Sequence, residues 1–132
     1  MTTKKPSNYV TTFLGPSGIV EQHFVGSQNP SDILEAIQEL GVYSKKLQKQ
    51  DKPLLILVDV SKVTRVDLSK RMQGARKAGI EAMRSVGYEK AAVCGPLSVQ
   101  ILVSTMALVA GVHSKVKVFD NRVNALRWLR TR

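Results

Sequence analysis

Cysteine is almost missing from this chain. Cys94 is the single one in 132 residues, so no internal disulfide can form. The fold must stand on a packed core, which a chain of this length can supply as one domain spanning 1–132. A lone thiol fits a reducing compartment, and a cytoplasmic location is expected. Aromatic residues are also scarce, at 5%, which makes the core aliphatic and leaves few rings for stacking on nucleic-acid bases. Histidine occurs twice, at His23 and His113, and neither has metal-ligand spacing with Cys, Asp or Glu. No metal and no cofactor is expected. A long apolar run is missing too. The longest uncharged stretch, Gly95 to Ser114, is broken by Ser98, Gln100, Ser104 and Thr105, short of the roughly 20 apolar residues a bilayer span needs. The polar N-terminus carries Lys4 and Lys5 with no signal-peptide core behind it, and residues 1–8 are expected to be flexible. There is no Gly-rich phosphate loop, no Gly-x-Ser-x-Gly elbow and no dinucleotide fingerprint, so no enzymatic activity is expected.

What is present in excess is positive charge. The net charge is +10, and all of it lies in the second half. Met1 to Asp59 carries 6 Lys/Arg against 6 Asp/Glu, whereas Val60 to Arg132 carries 14 against 4. The asymmetry points either to an anionic partner or to solubility alone.

The hydrophobic pattern reads as β-β-α-β-α-β-α-β-α. Tyr9 to Leu14 and Ile19 to Val25 flank Gly15-Pro16-Ser17-Gly18, whose composition is that of a tight turn, and form a hairpin. Asn29-Pro30 opens a helix, with Asn as N-cap and Pro in the first turn. Its apolar residues Ile33, Leu34, Ile37, Leu40 and Leu47 recur at helical spacing, and Asp51-Lys52-Pro53 closes it. Leu54 to Val60 is a nearly continuous apolar run, as in a strand covered on both faces. Asp67 or Ser69 caps the next helix, which runs to about Val86 with Leu68, Met72, Ala75, Gly79, Ala82, Met83 and Val86 on its inner face. Lys90 to Gly95 is a short strand, Leu97 to Ala110 a very apolar helix and Val116 to Phe119 the last strand. Asp120 or Asn121 caps a terminal helix carrying Leu126, Trp128 and Leu129. This alternation implies an α/β fold with a mixed, mainly parallel sheet, an N-terminal antiparallel hairpin and about four helices.

Two stretches carry a family resemblance. One is Asp59-Val60-Ser61-Lys62-Val63 with Asp67-Leu68-Ser69 following. The other is Val116-Lys117-Val118-Phe119-Asp120 followed by Asn124-Ala125-Leu126-Arg127-Trp128-Leu129. With the element order, they make the chain resemble the SpoIIAA-like branch of the STAS domains, from about Tyr9 to Leu129. The resemblance implies a non-enzymatic domain with helices mainly on one face of a four- or five-stranded sheet. In anti-sigma antagonists an Asp-Ser-Ser-Gly stretch opens a helix, and its second Ser is phosphorylated. Here the stretch reads Asp67-Leu68-Ser69-Lys70, so Asp67 and Ser69 match while Leu68 and Lys70 depart. The related Sec14-like lipid carriers add a second analogy, in which apolar helices shelter a lipid chain.

Several residues stand out as candidates, each beside a plainer reading. Ser69 is either a phosphate acceptor at a helix start or, like Asp67, only a cap. Lys70, Lys77 and Arg84 recur every seven residues, flanked by Arg71 and Arg76 and interrupted by Glu81. They form an anion-binding stripe or a solvated outer face. No aromatic residue interleaves with them, which argues against single-strand recognition. The helix from Leu97 is apolar around most of its circumference, through Val99, Leu102, Val103, Met106 and Val109 among others. It is either core helped by the terminal helix and Trp128, a homodimer interface, or the wall of a lipid-sized groove. Cys94, before Gly95-Pro96, reads as a small buried residue rather than a reactive thiol. Asp59 with Asp67 beyond it gives at most a pair of carboxylates at a strand end, without the further groups of an acidic active site.

The leading expectation is a regulatory or protein-interaction module, homodimeric and bacterial, acting through the surface at Asp67 to Lys77 or through the apolar helix. The alternative is a carrier or sensor of a lipid or other anionic small molecule. A third class is charge-driven, non-specific nucleic-acid binding.

Overall fold

A computed structural model describes residues 10–27, 29–65 and 68–131. Asp67 and the N-terminal segment expected to be flexible lie outside the described residues. The strands are β1 (Val10–Leu14), β2 (Ile19–Ser27), β3 (Leu55–Arg65), β4 (Lys90–Cys94) and β5 (Val116–Phe119). The helices are α1 (Pro30–Lys49), α2 (Gln73–Ser85), α3 (Leu97–Ala110) and α4 (Arg122–Leu129).

The hairpin forms as its turn residues dictate. Gly18 donates its N–H to the Gly15 carbonyl at 3.1 Å and adopts φ 83°, a left-handed conformation that costs glycine little. β1 and β2 pair antiparallel, and all later neighbours pair parallel, in the sheet order β1-β2-β3-β4-β5. Each parallel crossover advances one strand in the same direction. With right-handed connections, that places α1, α2 and α3 on one face of the sheet. α4 follows the edge strand and folds onto the opposite face, against β3, β4 and β5.

Strand alternation divides the core accordingly. Val20, Ile56, Ala91 and Val116 point to the three helices, where Leu47, Tyr88 and Ala107 meet them. Ile19, Leu57, Ala92 and Cys94 point the other way and pack on Ala125 and Leu129 of α4. The caps match the sequence. The Asn29 side chain accepts from the Asp32 N–H at 3.2 Å with Pro30 in the first turn of α1, and the Asn121 side chain accepts from the Asn124 N–H at 2.9 Å.

Three expectations need correction. β3 runs five residues beyond Val60, because β2 continues alongside it through two register shifts. α2 begins at Gln73; before it, Lys70–Met72 form a 3-10 turn whose flanking Ser69 makes no side-chain capping bond. Leu68 therefore lies outside the helix at 65% exposure, not on its inner face. Finally, Trp128 cannot help bury α3, since α4 sits across the sheet, where Trp128 meets Phe119 at 5.8 Å between ring centroids.

Candidate functional site

The three-helix face does not close completely. Between the sheet and α1, α2 and α3 lies a cavity of about 270 Å³. It is larger than the roughly 150 Å³ engineered apolar cavity that stays dry and accepts benzene. Its wall follows β3 from Ile56 to Val63, about 20 Å at the ordinary strand rise. α2 supplies the longest stretch of the opposite wall. Small residues let it sit there: a Cβ on Gly79 would lie 2.9 Å from Cε of Met106, so α2 and α3 approach closely at that level.

Among the described lining residues, three carry a side-chain nitrogen or oxygen: Gln22, Arg76 and Tyr88. Each of these is engaged with the protein. The Gln22 amide donates to the Ala36 carbonyl at 2.8 Å and to the Thr12 hydroxyl at 3.1 Å. The Tyr88 hydroxyl donates to the Met83 carbonyl at 2.6 Å, and burial pushes its pKa up to about 12, so it stays neutral. Arg76, half-buried in the first turns of α2, is the one charged residue among the described lining residues, and its Nη1 donates to the Ser69 carbonyl at 3.4 Å.

The apolar helix thus splits its predicted set. Val99, Leu102, Val103 and Met106 line the cavity. Val109 does not; it is 62% exposed and joins Leu97, Ile101 and Leu108 in an uncharged ridge on the outer side of α3. A helix that is apolar all round here has one face on a cavity and the other in solvent.

The cationic set divides as well. Lys70 and Arg71 are exposed in the 3-10 turn, whereas Lys77 and Arg84 are exposed on α2, so the stripe is not carried by one continuous helix. Arg84 pairs with Glu81 at 3.3 Å. Ser69 is exposed beside this turn. Arg76, taken from sequence as a flank of the outer stripe, points inward. The signal was present: 72, 75, 76, 79, 82, 83 and 86 follow the i, i+3, i+4 ladder of one helix face.

On the other face of the sheet, the structure gathers residues that looked isolated in sequence. Glu21, with a side chain 7% exposed, receives Arg122 through both carboxylate oxygens, at 2.5 and 2.9 Å. That bidentate bond holds the Glu21 pKa below its ordinary value against the opposing effect of burial. Nε2 of His23 lies 2.9 Å from Glu21, its Nδ1 lies 3.8 Å from Asp59, and its ring stacks on Phe13. His23 is therefore part of a polar network rather than a solitary histidine. Asp59 accepts from the Ser61 hydroxyl at 2.5 Å and the Ser61 N–H at 2.9 Å. Cys94 is fully buried nearby; burial, then Asp59, pushes its thiol up to about 11, which makes it inert. His113 is exposed. Among the described residues no group of three or more His, Cys, Asp or Glu is placed to hold a metal ion. The network clamps α4 to β2 across 101 residues of sequence, a separation that leaves no local signal.

No helix among the described residues is long and apolar enough to cross a membrane. No family model matches the chain, and no curated protein does. Among solved structures, it is similar to an uncharacterised protein of the DUF3478 family with a SpoIIAA-like fold from Shewanella loihica PV-4. The two share 17% identity over 98% of each chain, with a TM-score of 0.58. Strand order, the antiparallel hairpin, the placing of three helices on one face and α4 on the other, and this likeness together establish that the chain has a SpoIIAA-like fold.

Proposed function

We propose that this chain is a non-catalytic binding domain whose ligand is a small molecule with a long apolar part, held between the sheet and α1–α3. The observation that carries the reading is the cavity of about 270 Å³ whose described lining is apolar except for Gln22, Arg76 and Tyr88. A folded core is ordinarily filled to crystal-like density, and a void of this size forfeits dispersion contacts over its whole wall. An apolar occupant restores them, and a concave, predominantly apolar lining with a few polar groups is the usual character of a small-molecule site. Among the described residues the thiol is buried with a raised pKa, and the carboxylates on the other face are tied to Arg122, His23 and Ser61, which favours binding over chemistry. Its lone thiol fits a cytoplasmic setting.

The native mass spectrum of the protein purified from its own cells tests the reading. We expect an extra mass of a few hundred daltons that denaturation removes, and its loss in Ala82→Phe, where a ring from α2 occupies the cavity. A bare chain in both proteins sinks the proposal.

A second reading, the interaction module, is favoured by one observation: the ridge Leu97, Ile101, Leu108 and Val109, each about 60% exposed or more, forms an uncharged strip on a strongly basic protein. Isolated exposed apolar residues are ordinary; Leu97, Ile101 and Leu108 on one helix face, with Val109 at its margin, favour a contact surface. A dimer peak in the same spectrum that Ile101→Glu converts to monomer supports self-association there.

A further inference from the structure

We infer that β1 is a docking edge for a second copy of this chain, whose own β1 pairs with it antiparallel and continues the sheet from one molecule into the next. This surface is separate from the cavity, to whose described lining β1 gives no residue, and from the ridge on α3.

The two edges of the sheet, β1 and β5, are built differently. Edge strands are ordinarily guarded against further pairing by shortness, a charge, a proline or a bulge. β5 is guarded: it has only four residues, and Lys117 stands exposed in its middle. β1 has none of these guards. Its residues Val-Thr-Thr-Phe-Leu carry no charge and no proline, and they pair with β2 residue for residue without a bulge. All but Leu14 are β-branched or aromatic, the composition that favours pairing. The turn also fixes where the main chain points. Gly15 donates to the Ile19 carbonyl at 2.8 Å, so alternation turns the main-chain groups of Thr11 and Phe13 towards β2 and those of Thr12 and Leu14 towards the edge. Among the described residues no other strand lies along that edge.

The occupant that fits is another β1. About a two-fold axis at Thr12, each Thr12 faces its own copy as a hydrogen-bonded pair, and Phe13 lies opposite Thr11 of the second copy, an aromatic–β-branched pair. The pairing also covers part of Phe13 and Leu14, which are 40% and 42% exposed in the single chain. Charge favours this edge over the rest of the molecule. Sheet order follows sequence order, so the neutral half up to Asp59 builds the β1 end and the basic half builds the β5 end. Two copies joined at β1 hold their β5 edges nine strand spacings apart, about 43 Å, well beyond the Debye length of about 8 Å. A copy approaching the basic half brings like charges together instead. Five residues a side is small against the roughly 20–30 of a stable interface, so the dimer is weak and concentration-dependent.

Sedimentation velocity of the full chain over a dilution series tests it. We expect a reversible monomer–dimer equilibrium. Thr12→Pro removes the N–H of the central pair on both copies, a change an edge strand tolerates, and should weaken the dimer about tenfold or more. Thr11→Lys places on exposed β1 the guard that β5 already carries and should weaken it about as much. Ile101→Glu, on the ridge of α3, should leave the equilibrium unchanged. Circular dichroism confirms that each variant is folded. A monomer at every concentration overturns the inference. So does a dimer that survives both β1 variants, or one that Ile101→Glu dissolves, which would put the contact on α3. Should Thr12→Pro fail to fold, Thr11→Lys decides the same question. The cavity reading stands or falls separately, on its bound mass.

Discussion

The two faces of the sheet are built to different tolerances. Under α4 the packing is tight and the ions are paired: Leu57, Ala92 and Ala125 are fully buried, and Glu21 is clamped by Arg122. Under α1, α2 and α3, three helices cover the sheet and still leave a cavity. The face with one short helix is the filled one, and the face with three is the hollow one. Helix number therefore does not measure packing quality. What differs is residue size: α2 presents Ala75, Gly79 and Ala82 to the sheet, whereas α4 presses Leu126, Trp128 and Leu129 onto it. On this comparison the α4 face holds the fold together and the α1–α3 face is left free to bind.

Three measurements sharpen or break that contrast. The largest effect is expected from truncating matched leucines. Leu57→Ala, on the filled face, should destabilise by about 2–5 kcal/mol in urea unfolding, the ordinary range for a buried leucine. Leu102→Ala, on the cavity wall, should cost well under half of that, because its side chain already lacks neighbours on one side. Equal losses would mean that the cavity side is packed after all.

Next in size are two adjacent alanines on β4 that point to opposite faces. Ala92→Leu drives a side chain into the α4 layer and should destabilise by about 1–3 kcal/mol through overpacking. Ala91→Leu points into the cavity, and we expect it to be neutral or to stabilise by up to about 1 kcal/mol in thermal unfolding. It should also weaken apolar-ligand binding, which a merely stabilising change elsewhere would not do. A comparable loss in both variants would deny the difference between the faces.

The smallest effect concerns the clamp. Arg122→Ala leaves the buried Glu21 carboxylate without its bidentate partner and should cost about 1–2 kcal/mol near neutral pH, reduced by the solvent access of Arg122. The folded Glu21 pKa lies below its ordinary 4.5. Its contribution is therefore fully present above that value and is lost as pH falls through the depressed folded pKa. The gap between wild type and Arg122→Ala should narrow as pH drops below about 4.5 in a series of urea titrations. A gap that is constant with pH would show that the pair contributes nothing through charge.

Much of the fold was legible because it is written in local chemistry. Asn29-Pro30 and Asn121 cap helices through bonds made within three residues, and Gly15 to Gly18 turns the hairpin through its own main chain. The nearly continuous apolar run Leu54 to Val60 marks a strand buried on both faces, and element order with right-handed crossovers sets the sheet. Part of the site was visible only as an alternative: Val99, Leu102, Val103 and Met106 read from sequence as core, dimer interface or groove wall, and the structure lines the cavity with them. Val109 and Arg76 show where spacing stops being informative. A helix that is apolar all round offers no sequence clue to which side faces solvent, and a cation on the edge of a helix face is inward or outward according to its neighbours.

By itself, then, the sequence determined the elements, their order and the class of the sheet, because caps, turns and periodicity act over a few residues. Only the tertiary structure decided that α4 crosses to the far face, that Glu21 and Arg122 meet across 101 positions, and that the side chains of α1, α2 and α3 fail to fill the space beneath them. A volume left empty is a property of the surfaces that surround it, and no single segment of chain contains it.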